Sequence, residues 1–429
     1  MMLVITLATR YLAARLRQSV LTIGGIALGM VALTVIQSMM GGFRAEFVKK
    51  TLATSPEIIV RRRPPEKFDP VSPMRQALAS AAAPLTPTLL EVPRPPLPDE
   101  AENIRSVQTV EAALGEVAGV AATAPLITGQ VMFTFSGASE PVNVNGIIPS
   151  QHSRVVEFRK KLTGGTDEEL ERSTSGVVLG KFLADRMRVH VGDRVVARGQ
   201  DGTAVSLRVV ALHDSYVYEV DNTTAWVNLR RAQSLLSLSG QVNAVQVRTT
   251  DYNRAEEIAR AIEYRVGMDA ESWMEANKNV LGLLNMIVSI MTMVTVFTMS
   301  VAGFGIAGNL ITTVAEKTFD IGVLKAMGMT SGRIVAVFLL LAMLMMSLGL
   351  ILGMGISYAV VELLSNVKSA IKPGPGVIVA SENMPMIRSW TIYITSGMFA
   401  VVVSLIAGLA PSLKAARLEP LGILRNAAG

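Results

Sequence analysis

Cysteine is absent from the chain, and charged residues are scarce. Without thiols the protein has no disulfide framework, zinc–thiolate site, iron–sulfur cluster or cysteine nucleophile. Charged residues make up 17% of the 429 positions, whereas a water-soluble chain normally carries about 25%. Hydrophobic residues make up 50%, and the mean hydropathy is +0.42. Much of the chain is therefore expected to lie outside water.

Motifs of catalysis and metal binding are also missing. The one Gly-Lys pair, Gly180 and Lys181, is followed by Phe182, so the phosphate-binding loop G-x-x-x-x-G-K-[ST] does not occur. There is no G-x-S-x-G elbow, and the histidines are too far apart in sequence for a metal-binding motif. We therefore predict that the chain has no catalytic residues, binds no metal or other cofactor directly and is not itself an enzyme. Any ATP and Mg²⁺ are expected to be used by an ATPase on a separate chain.

Four charge-free runs are long enough to cross a bilayer, which takes about 20 apolar residues in a helix. We interpret them as transmembrane helices one to four, at residues 18–43, 279–315, 334–361 and 389–413. The second run would measure about 55 Å as a helix, so it is expected to continue beyond the bilayer as a stalk. The first could also be a signal peptide, but it exceeds the usual apolar length of about 15 residues and no A-x-A site follows. The lack of charge within the runs argues against a proton-coupled carrier.

A segment of ordinary polar composition, residues 44–278, separates the first two runs. Short β-rich stretches alternate in it with helical ones, which predicts a mixed α+β domain. Residues 61–100 hold 10 of the chain's 19 prolines and are expected to form a flexible, extended insertion. The predicted fold class is an α-helical membrane protein with four transmembrane helices and a large mixed α+β extracytoplasmic domain inserted between helices one and two.

The net charge of +6 arises from three short segments. Residues 1–17, 316–333 and 414–429 together carry nine basic and three acidic side chains, whereas the two signs balance in the rest of the chain. Because basic residues are retained on the cytoplasmic side of membranes, these segments are predicted to be cytoplasmic. The domain at 44–278 and the loop at 362–388 are then outside, and the charge is no sign of nucleic-acid binding.

Two further features lie inside or next to the apolar runs. Small-xxx-small patterns, which allow close contact between helices, occur in the first and third runs at Gly25, Gly29, Gly349 and Gly353. Methionine is frequent, and its flexible, polarisable side chain suits a cavity for varied acyl chains. The predicted cargo or lipid cavity comprises Met30, Met39, Met40, Phe43, Met286 and Met293. Any single methionine could instead be apolar filler that faces lipid.

Charged and apolar residues alternate at helical spacing in the loop after the second run. Phe319, Val323 and Met327 fall on one face, and Gly328 follows as a C-terminal cap. The pattern predicts a short amphipathic helix at the cytoplasmic ends of two spans. Such a helix could receive a push from a partner protein, or simply anchor the loop at the membrane surface.

This loop also resembles a known family. The pattern E-K-x-x-[DE]-I-G-V-L-K-A-x-G, at residues 316–328 here, is similar to the segment after the second span of FtsX/MacB-type ABC transporter permeases. The C-terminal run at 411–425 resembles the ending of that family. After the first span, M-x-G-F-x-x-E at residues 40–46 resembles the lipoprotein-releasing (LolC/LolE) permeases, to which the chain looks closest.

The resemblance implies a permease subunit in the bacterial inner membrane, with cytoplasmic termini and a periplasmic large domain. It implies pairing with a second permease copy or a paralogue, and binding of a cytoplasmic ABC ATPase dimer through the loop, which serves as a coupling helix. ATP-driven closure would then extract lipoproteins, or similar lipidic cargo, by mechanotransmission. The coupling residues that the resemblance implies are Glu316, Lys317, Asp320, Ile321, Val323, Leu324, Lys325, Met327 and Gly328.

Two other functions stay open within the same family. One is MacB-like extrusion of periplasmic peptides or drugs, and the other is FtsX-like signalling to a cell-wall hydrolase without transport. The chain also departs from the family in two places. The turn at 199–202 is shorter than the carrier-docking loop of some Lol permeases, and the segment at 61–100 is unlike the compact family pattern. A periplasmic carrier or adaptor is thus a partner that the resemblance allows but does not require.

Overall fold

The structure is a computed structural model that describes residues 2–14, 16–63, 103–199, 201–368, 374–375, 381 and 383–418. Two compact units are formed. Of the described residues, those within 1–46, 280–371 and 381–429 form the first unit, and those within 47–279 and 372–380 form the second. Most of the proline-rich segment predicted at 61–100, and the tail beyond residue 418, lie outside the described residues.

The described residues contain short helices and long apolar ones. In chain order the helices are α1 Met2–Ala14, α2 Leu16–Thr54, α3 Val107–Gly115, α4 Pro149–Val155, α5 Asp167–Arg172, α6 Lys181–Met187, α7 Tyr218–Thr223, α8 Leu229–Leu235, α9 Ala255–Val266, α10 Trp273–Ala276, α11 Lys278–Glu316, α12 Thr318–Ala326, α13 Ser331–Ser365 and α14 Trp390–Ala416. Within this part of the chain, four helices are long and apolar enough to cross a membrane: α2, α11, α13 and α14. They contain the four charge-free runs except for Ser389, which immediately precedes α14. A helix suits such runs because it satisfies its own backbone polar groups and its uncharged side chains can enter lipid.

The first long helix, α2, exceeds the run that predicted it. The sequence placed the span at 18–43, but the helix continues to Thr54. Residues 44–54 include charged side chains but no glycine or proline, so nothing in them breaks a helix. Pro56 ends it, because a residue that precedes proline disfavours the helical conformation. The helices α2 and α11 have 39 residues each, which corresponds to about 58 Å.

Two glycines let α13 approach α2 closely. A Cβ built at Gly349 would come 2.8 Å from the Ile26 Cβ. One built at Gly353 would come 2.8 Å from the Met30 Cβ. Real Cβ atoms do not come this close, so the contact requires the absence of a side chain at both positions.

The glycines of α2 are in different surroundings. Gly29 faces α11, with the Met299 sulfur 3.6 Å from the position of a Cβ. Gly25 has no atom of the described residues within 4 Å of that position. The small-xxx-small pattern of α13 therefore lies in a helix contact along its whole length, whereas that of α2 does so only at its second glycine.

The second unit is built on one mixed sheet. Its strands are β1 Ile58–Arg61, β2 Val120–Phe135, β3 Ala138–Ile147, β4 Leu162–Thr163, β5 Gly176–Gly180, β6 Arg194–Arg198, β7 Ala204–His213, β8 Thr224–Asn228, β9 Ala244–Thr249 and β10 Asp269–Ser272. They pair in the order β10-β1-β9-β2-β3-β8-β5-β7-β4, and β6 pairs with both β2 and β7. The β3–β8 and β5–β7 pairs are parallel. The mixed α and β composition predicted for this segment is confirmed.

The strand β2 connects several parts of this sheet. It has 16 residues and pairs with β9 over Val120–Leu126, with β3 over Leu126–Phe135 and with β6 over Met132–Thr134. A two-residue turn joins β2 to β3, and both of its residues, Ser136 and Gly137, have positive φ. Such turns match the right-handed twist of the strands that they join.

Two histidines lie in the core of the second unit. The His152 Nδ1 is 2.7 Å from the Gln246 Oε1, and the His213 Nδ1 is 2.8 Å from the Asp221 Oδ1. The Phe158 ring contacts both imidazoles, with centroid distances of 5.1 and 5.6 Å. Burial lowers the pKa of His152 from 6.5 to about 4, so its imidazole is neutral at pH 7. In the described parts of the chain, no three His, Asp or Glu side chains are arranged to hold a metal ion.

Candidate coupling surface and membrane groove

The helix α12 occupies the loop between α11 and α13. Asp320 lies in its first turn and Lys325 in its last, which places each charge favourably in the helix dipole. The helix ends at Ala326, and Gly328 follows two residues later with a φ of 94°, a left-handed conformation that glycine adopts without steric cost. The Gly328 N–H donates to the Lys325 carbonyl and the Met329 N–H to the Leu324 carbonyl, both at 3.0 Å. These bonds satisfy the last carbonyls of the helix.

A groove of about 600 Å³ lies between α1 and α12. It is lined by Leu7, Arg10, Tyr11, Lys317, Phe319, Asp320, Val323 and Leu324. Phe319 is 51% exposed, so an aromatic ring is already available to a partner at its edge. Ile321 is buried and belongs to the apolar cluster that includes Val337 and Phe338 of α13. The loop helix therefore has one face in the core and one face on the groove.

Charged side chains at the rim of this groove make it partly basic. The Lys317 Nζ is 3.0 Å from the Asp320 Oδ2 and 5.6 Å from the centre of the Tyr11 ring. Burial, and after it the negative charge of Asp320, raise the pKa of the Tyr11 hydroxyl, which remains protonated. Arg10 is exposed and has no ionic partner among the described residues. Apolar walls with a partly neutralised basic rim suit a partner segment that carries apolar and acidic side chains.

Lys325 does not line the groove. Its Nζ donates to the carbonyl oxygens of Ala416, at 2.6 Å, and Leu418, at 2.8 Å, where α14 ends. The Ser331 hydroxyl donates to the same Ala416 oxygen at 3.3 Å. The last carbonyls of a helix lack partners within the helix and carry partial negative charge, so a lysine is a favourable cap. The resemblance implied a contact with the ATPase for Lys325, but in the structure this residue has internal partners.

The remaining coupling residues implied by the resemblance separate by location. Four of them line the groove: Lys317, Asp320, Val323 and Leu324. Three others are exposed outside its lining: Glu316, Met327 and Gly328. The sequence analysis missed the contribution of α1, because its arginines were used only to assign topology. No other signal in α1 distinguishes the groove residues from their apolar neighbours.

A second groove, of about 350 Å³, opens between α2 and α11 near the start of α14. Its lining comprises Ile36, Gln37, Met40, Gly41, Arg44, Val288, Met291, Thr292, Thr295, Ile387, Ser389, Thr391 and Ile392. Ile36, Met40 and Arg44 are spaced four residues apart and so share one face of α2. Arg44 is exposed and has no ionic partner in the described ranges. An apolar groove with an arginine at its end suits an acyl chain attached to a polar or anionic head.

The residues predicted for a lipid cavity do not come together in this groove. Met40 lines it. Met30 is fully buried and packs in a cluster with Met299 and Met346. Outside the lining lie Met39, Phe43, Met286 and Met293, of which the last two are 61% and 59% exposed. The methionine pattern missed Arg44, although a basic residue that ends an apolar run is a signal that could have identified it.

The segment that precedes α14 crosses α2 at the M-x-G-F motif. The Ile387 N–H donates to the Ser38 carbonyl at 3.0 Å, and the Ser38 hydroxyl donates to the Ile387 carbonyl at 2.5 Å. A Cβ at Gly41 would lie 2.8 Å from the Ile387 Cγ2, and one at Gly42 would overlap the Pro385 carbonyl. Gly42 of the motif thus has a steric role, because any side chain there would displace the crossing segment.

Comparison with protein-family models gives two matches along the chain. Residues 19–264 match the MacB-like periplasmic core domain. Residues 292–420 match the FtsX-like permease C-terminal domain. The first match alone includes more than half of the chain. Together the two matches include most of α2, most of the second unit, part of α11 and all of α12 to α14.

Individual relatives agree with these matches. The lipoprotein-releasing system transmembrane protein LolC of Neisseria meningitidis serogroup B is 24% identical over 77% of this chain and 75% of its own. LolC of Xylella fastidiosa (strain 9a5c) is 24% identical over 98% of both chains. The macrolide export ATP-binding/permease protein MacB of Hyphomonas neptunium is 22% identical over 98% of this chain and 60% of its own.

Proposed function

The chain belongs to the FtsX/MacB-type family of ABC transporter permeases, and we propose that it is the membrane subunit of an ATP-driven system that extracts lipoproteins, or similar lipidic cargo, from the bacterial inner membrane. The ATP and Mg²⁺ are used by an ATPase on a separate chain, and this chain binds no cofactor itself. Its termini and α12 are cytoplasmic. The second unit, inserted between membrane helices one and two, is periplasmic.

The groove between α2 and α11 is the observation that carries this proposal. Arg17 and Arg44 bracket 26 uncharged residues of α2, about 40 Å of helix, against a hydrocarbon core of about 30 Å. With the N-terminus in the cytoplasm, Arg44 lies at the headgroup level of the outer leaflet. Met40 and Ile36 lie one and two turns deeper, among the acyl chains. A lipid-modified cargo can thus place an acyl chain on the apolar wall while its polar end stays beside Arg44.

The groove between α1 and α12 is the proposed docking site of the ATPase. It contains four of the residues that the family resemblance assigns to coupling, and it adds Arg10 and the exposed ring of Phe319. An ATPase dimer presents two equivalent surfaces, so it needs two such grooves. The second groove is supplied by another copy of this chain or by a paralogue.

Extrusion of periplasmic peptides or drugs is the alternative supported by a specific observation, the similarity to MacB along 98% of this chain. The lipidic proposal is preferred because LolC of Xylella fastidiosa matches this chain over 98% of its own length as well. A periplasmic carrier or adaptor is a further proposed partner under either function.

Site-specific photo-crosslinking tests the proposal. A photoreactive amino acid at Met40, which lines the groove, is compared with one at Met398 of α14, which is 65% exposed but outside the groove. Cells that carry each variant are irradiated, and the adducts are identified by mass spectrometry. We expect a lipoprotein adduct at position 40 that decreases when ATP is supplied to the isolated complex, and none at position 398. Capture of phospholipid alone, or of an unmodified peptide, would contradict extraction of lipoproteins.

A further inference from the structure

We infer that α14 acts as a strut that carries the movement of the cytoplasmic loop to the outer half of α2, and that Lys325 and Ser38 are the positioning residues at its two ends. This inference rests on the proposed function, because it supposes that an ATPase pushes on α12. It gives Lys325 a role inside the permease instead of a contact with the ATPase. It also gives a mechanical role to the M-x-G-F motif, whose glycine admits the segment in front of α14.

The cytoplasmic end of the strut is fixed by hydrogen bonds from a charged donor. The ammonium group of Lys325 bridges the Ala416 and Leu418 carbonyls, with Ser331 as a second donor to Ala416. Hydrogen bonds that involve an ionised group are shorter and stronger than neutral ones. Because Lys325 lies in the last turn of α12, displacement of α12 must either move the end of α14 or break these bonds.

The outer end is fixed by the two hydrogen bonds between Ser38 and Ile387. Both groups of the Ile387 peptide backbone are used, so the crossing segment cannot rotate about a single bond. Gly41 and Gly42 hold it against α2 on the next turn. Ile387 lies three residues before α14 begins at Trp390, and this short connection leaves little slack.

Between its two ends, α14 is continuous and well supported. It has 27 residues, about 40 Å of helix. Gly408 lies against α13, where a Cβ would come 3.0 Å from the Ala342 Cβ, and the Val403 Cγ1 lies 2.9 Å from the Cβ position of Gly303 in α11. Packing of this kind allows helices to slide past one another by small amounts. Hydrogen bonds at the two ends therefore decide which neighbour moves with α14.

The helix α2 would carry the movement of α14 onward from Ser38. This helix is unbroken from Leu16 to Thr54, and its last residues belong to the second unit. A displacement delivered at Ser38 is passed along the same helix, without a hinge at glycine or proline after position 42. The strut thus connects the loop to the helix that leads into the periplasmic domain.

The test uses the permease purified as a complex with its ATPase, with Ala45→Cys as the only cysteine of this chain and an environment-sensitive fluorophore attached to it. Ala45 is exposed on the outer part of α2. Lys325→Met removes the hydrogen bonds to the Ala416 and Leu418 carbonyls and keeps the apolar stem of the side chain. Gly42→Val displaces the segment in front of α14 from α2. Ser38→Ala, which removes one of the hydrogen bonds to Ile387, is the milder substitute if the Gly42 variant does not assemble. The matched control is Lys414→Met, which removes a charge from the last turn of α14 without touching the connection.

We expect Lys325→Met to retain ATP hydrolysis while the ATP-dependent fluorescence change at position 45 falls about tenfold, the size expected for loss of a charged hydrogen bond. Lys325→Arg restores the change, because a guanidinium also donates to two carbonyls. The double variant Lys325→Met/Gly42→Val is no worse than either single one, because both interrupt the same route. An unchanged signal in Lys325→Met, or losses that multiply in the double variant, would overturn the inference.

A cross-link supplies an independent outcome. In the otherwise cysteine-free chain, Ser38→Cys/Ile387→Cys is oxidised and transport is measured. A strut stays attached throughout the cycle, so transport continues with the disulfide closed. Arrest by oxidation, with recovery on reduction, would show that this contact opens and that α14 is not a strut. The fluorescence readout needs no cargo, so failure of the lipoprotein proposal and failure of the strut are distinguished.

Discussion

Gly353 lies directly over Met30: a Cβ at position 353 would be 2.8 Å from the Met30 Cβ and 3.0 Å from the Ala27 carbonyl oxygen. The second of these atoms belongs to the backbone of α2 and cannot rotate away. At this point of the contact between α13 and α2, a side chain at position 353 would therefore force the two helices apart.

We predict that Gly353→Ala destabilises the first unit by about 1–3 kcal/mol, the usual range for overpacking. The same substitution at Gly355, two positions along α13 and with no atom within 4 Å, is the control. It should be neutral or slightly stabilising, because alanine favours helix. Thermal unfolding in detergent measures both. Equal effects at the two positions would show that the contact with α2 does not limit stability.

The buried histidine of the second unit predicts a dependence of stability on pH. The pKa of His152 is lowered to about 4 in the folded protein, against about 6.5 in an unfolded chain. Between these values the unfolded state binds a proton and the folded state does not. Stability is therefore highest above pH 6.5 and falls by about 3 kcal/mol as the pH decreases to 4.

Urea unfolding between pH 7.5 and 4 measures this loss. Trp273→Phe/Trp390→Phe leaves Trp226 as the single tryptophan, and its fluorescence reports on the core that contains His213 and Phe158. His152→Gln should flatten the pH profile. His190→Gln, at an exposed position, should leave the profile unchanged, and a profile that depends on His190 instead would contradict the assignment.

The groove of α1 and α12 predicts which substitutions weaken binding of the ATPase. Asp320→Arg places a third positive charge beside Arg10 and Lys317, and Leu324→Asp puts a charge on the apolar wall. We expect each to lower the affinity about tenfold or more, as loss of an interface hot spot does. Binding of the purified ATPase to the permease in nanodiscs measures the effect.

Met327→Ser tests whether the ATPase docks in the groove or on all the residues of the family pattern. Met327 belongs to the pattern and is 80% exposed, but it lies outside the groove lining. The Met327→Ser variant should bind the ATPase with nearly normal affinity. A loss as large as that of Leu324→Asp would place the docking surface at the end of the loop rather than in the groove.

Arg44 predicts the polarity of the occupant of the outer groove. Arg44→Ala should reduce the photo-adduct at position 40 several-fold, and Arg44→Lys should retain part of it, because lysine keeps the charge but loses the planar fork of donors. Lys49→Ala is the control, since Lys49 is exposed on the same helix but does not line the groove. An adduct that is insensitive to Arg44 would mean that the occupant is held by its apolar part alone.

Much of this architecture could be predicted from the residues. Lipid excludes charged side chains so strongly that four long uncharged runs predicted four membrane helices. The described residues form a helix that is long and apolar enough to cross a membrane at each run. The alternation of β-rich and helical stretches in 44–278 predicted a mixed domain, because apolar residues repeat at different spacings in strands and in helices. The family resemblance, taken from the loop and from the two ends of the chain, is confirmed by the family models.

The contacts between distant segments could not be predicted in this way. Nothing near Lys325 in the sequence reveals that its ammonium group meets the Ala416 carbonyl, 91 residues away. The same holds for Ser38 and Ile387, which are 349 residues apart. Such pairs depend on where whole helices end, and periodicity within one helix carries no information about the end of another.

The length of β2 has a consequence for how the second unit opens. Its neighbours β9, β3 and β6 all bond to this one strand, so detachment of any neighbour exposes amides that belong to the shared element. Backbone amides near Leu126 and those near Phe133 should therefore exchange with deuterium at similar, slow rates, as parts of one cooperative unit. A protease should find no intermediate in which half of this sheet is intact and the other half is digested.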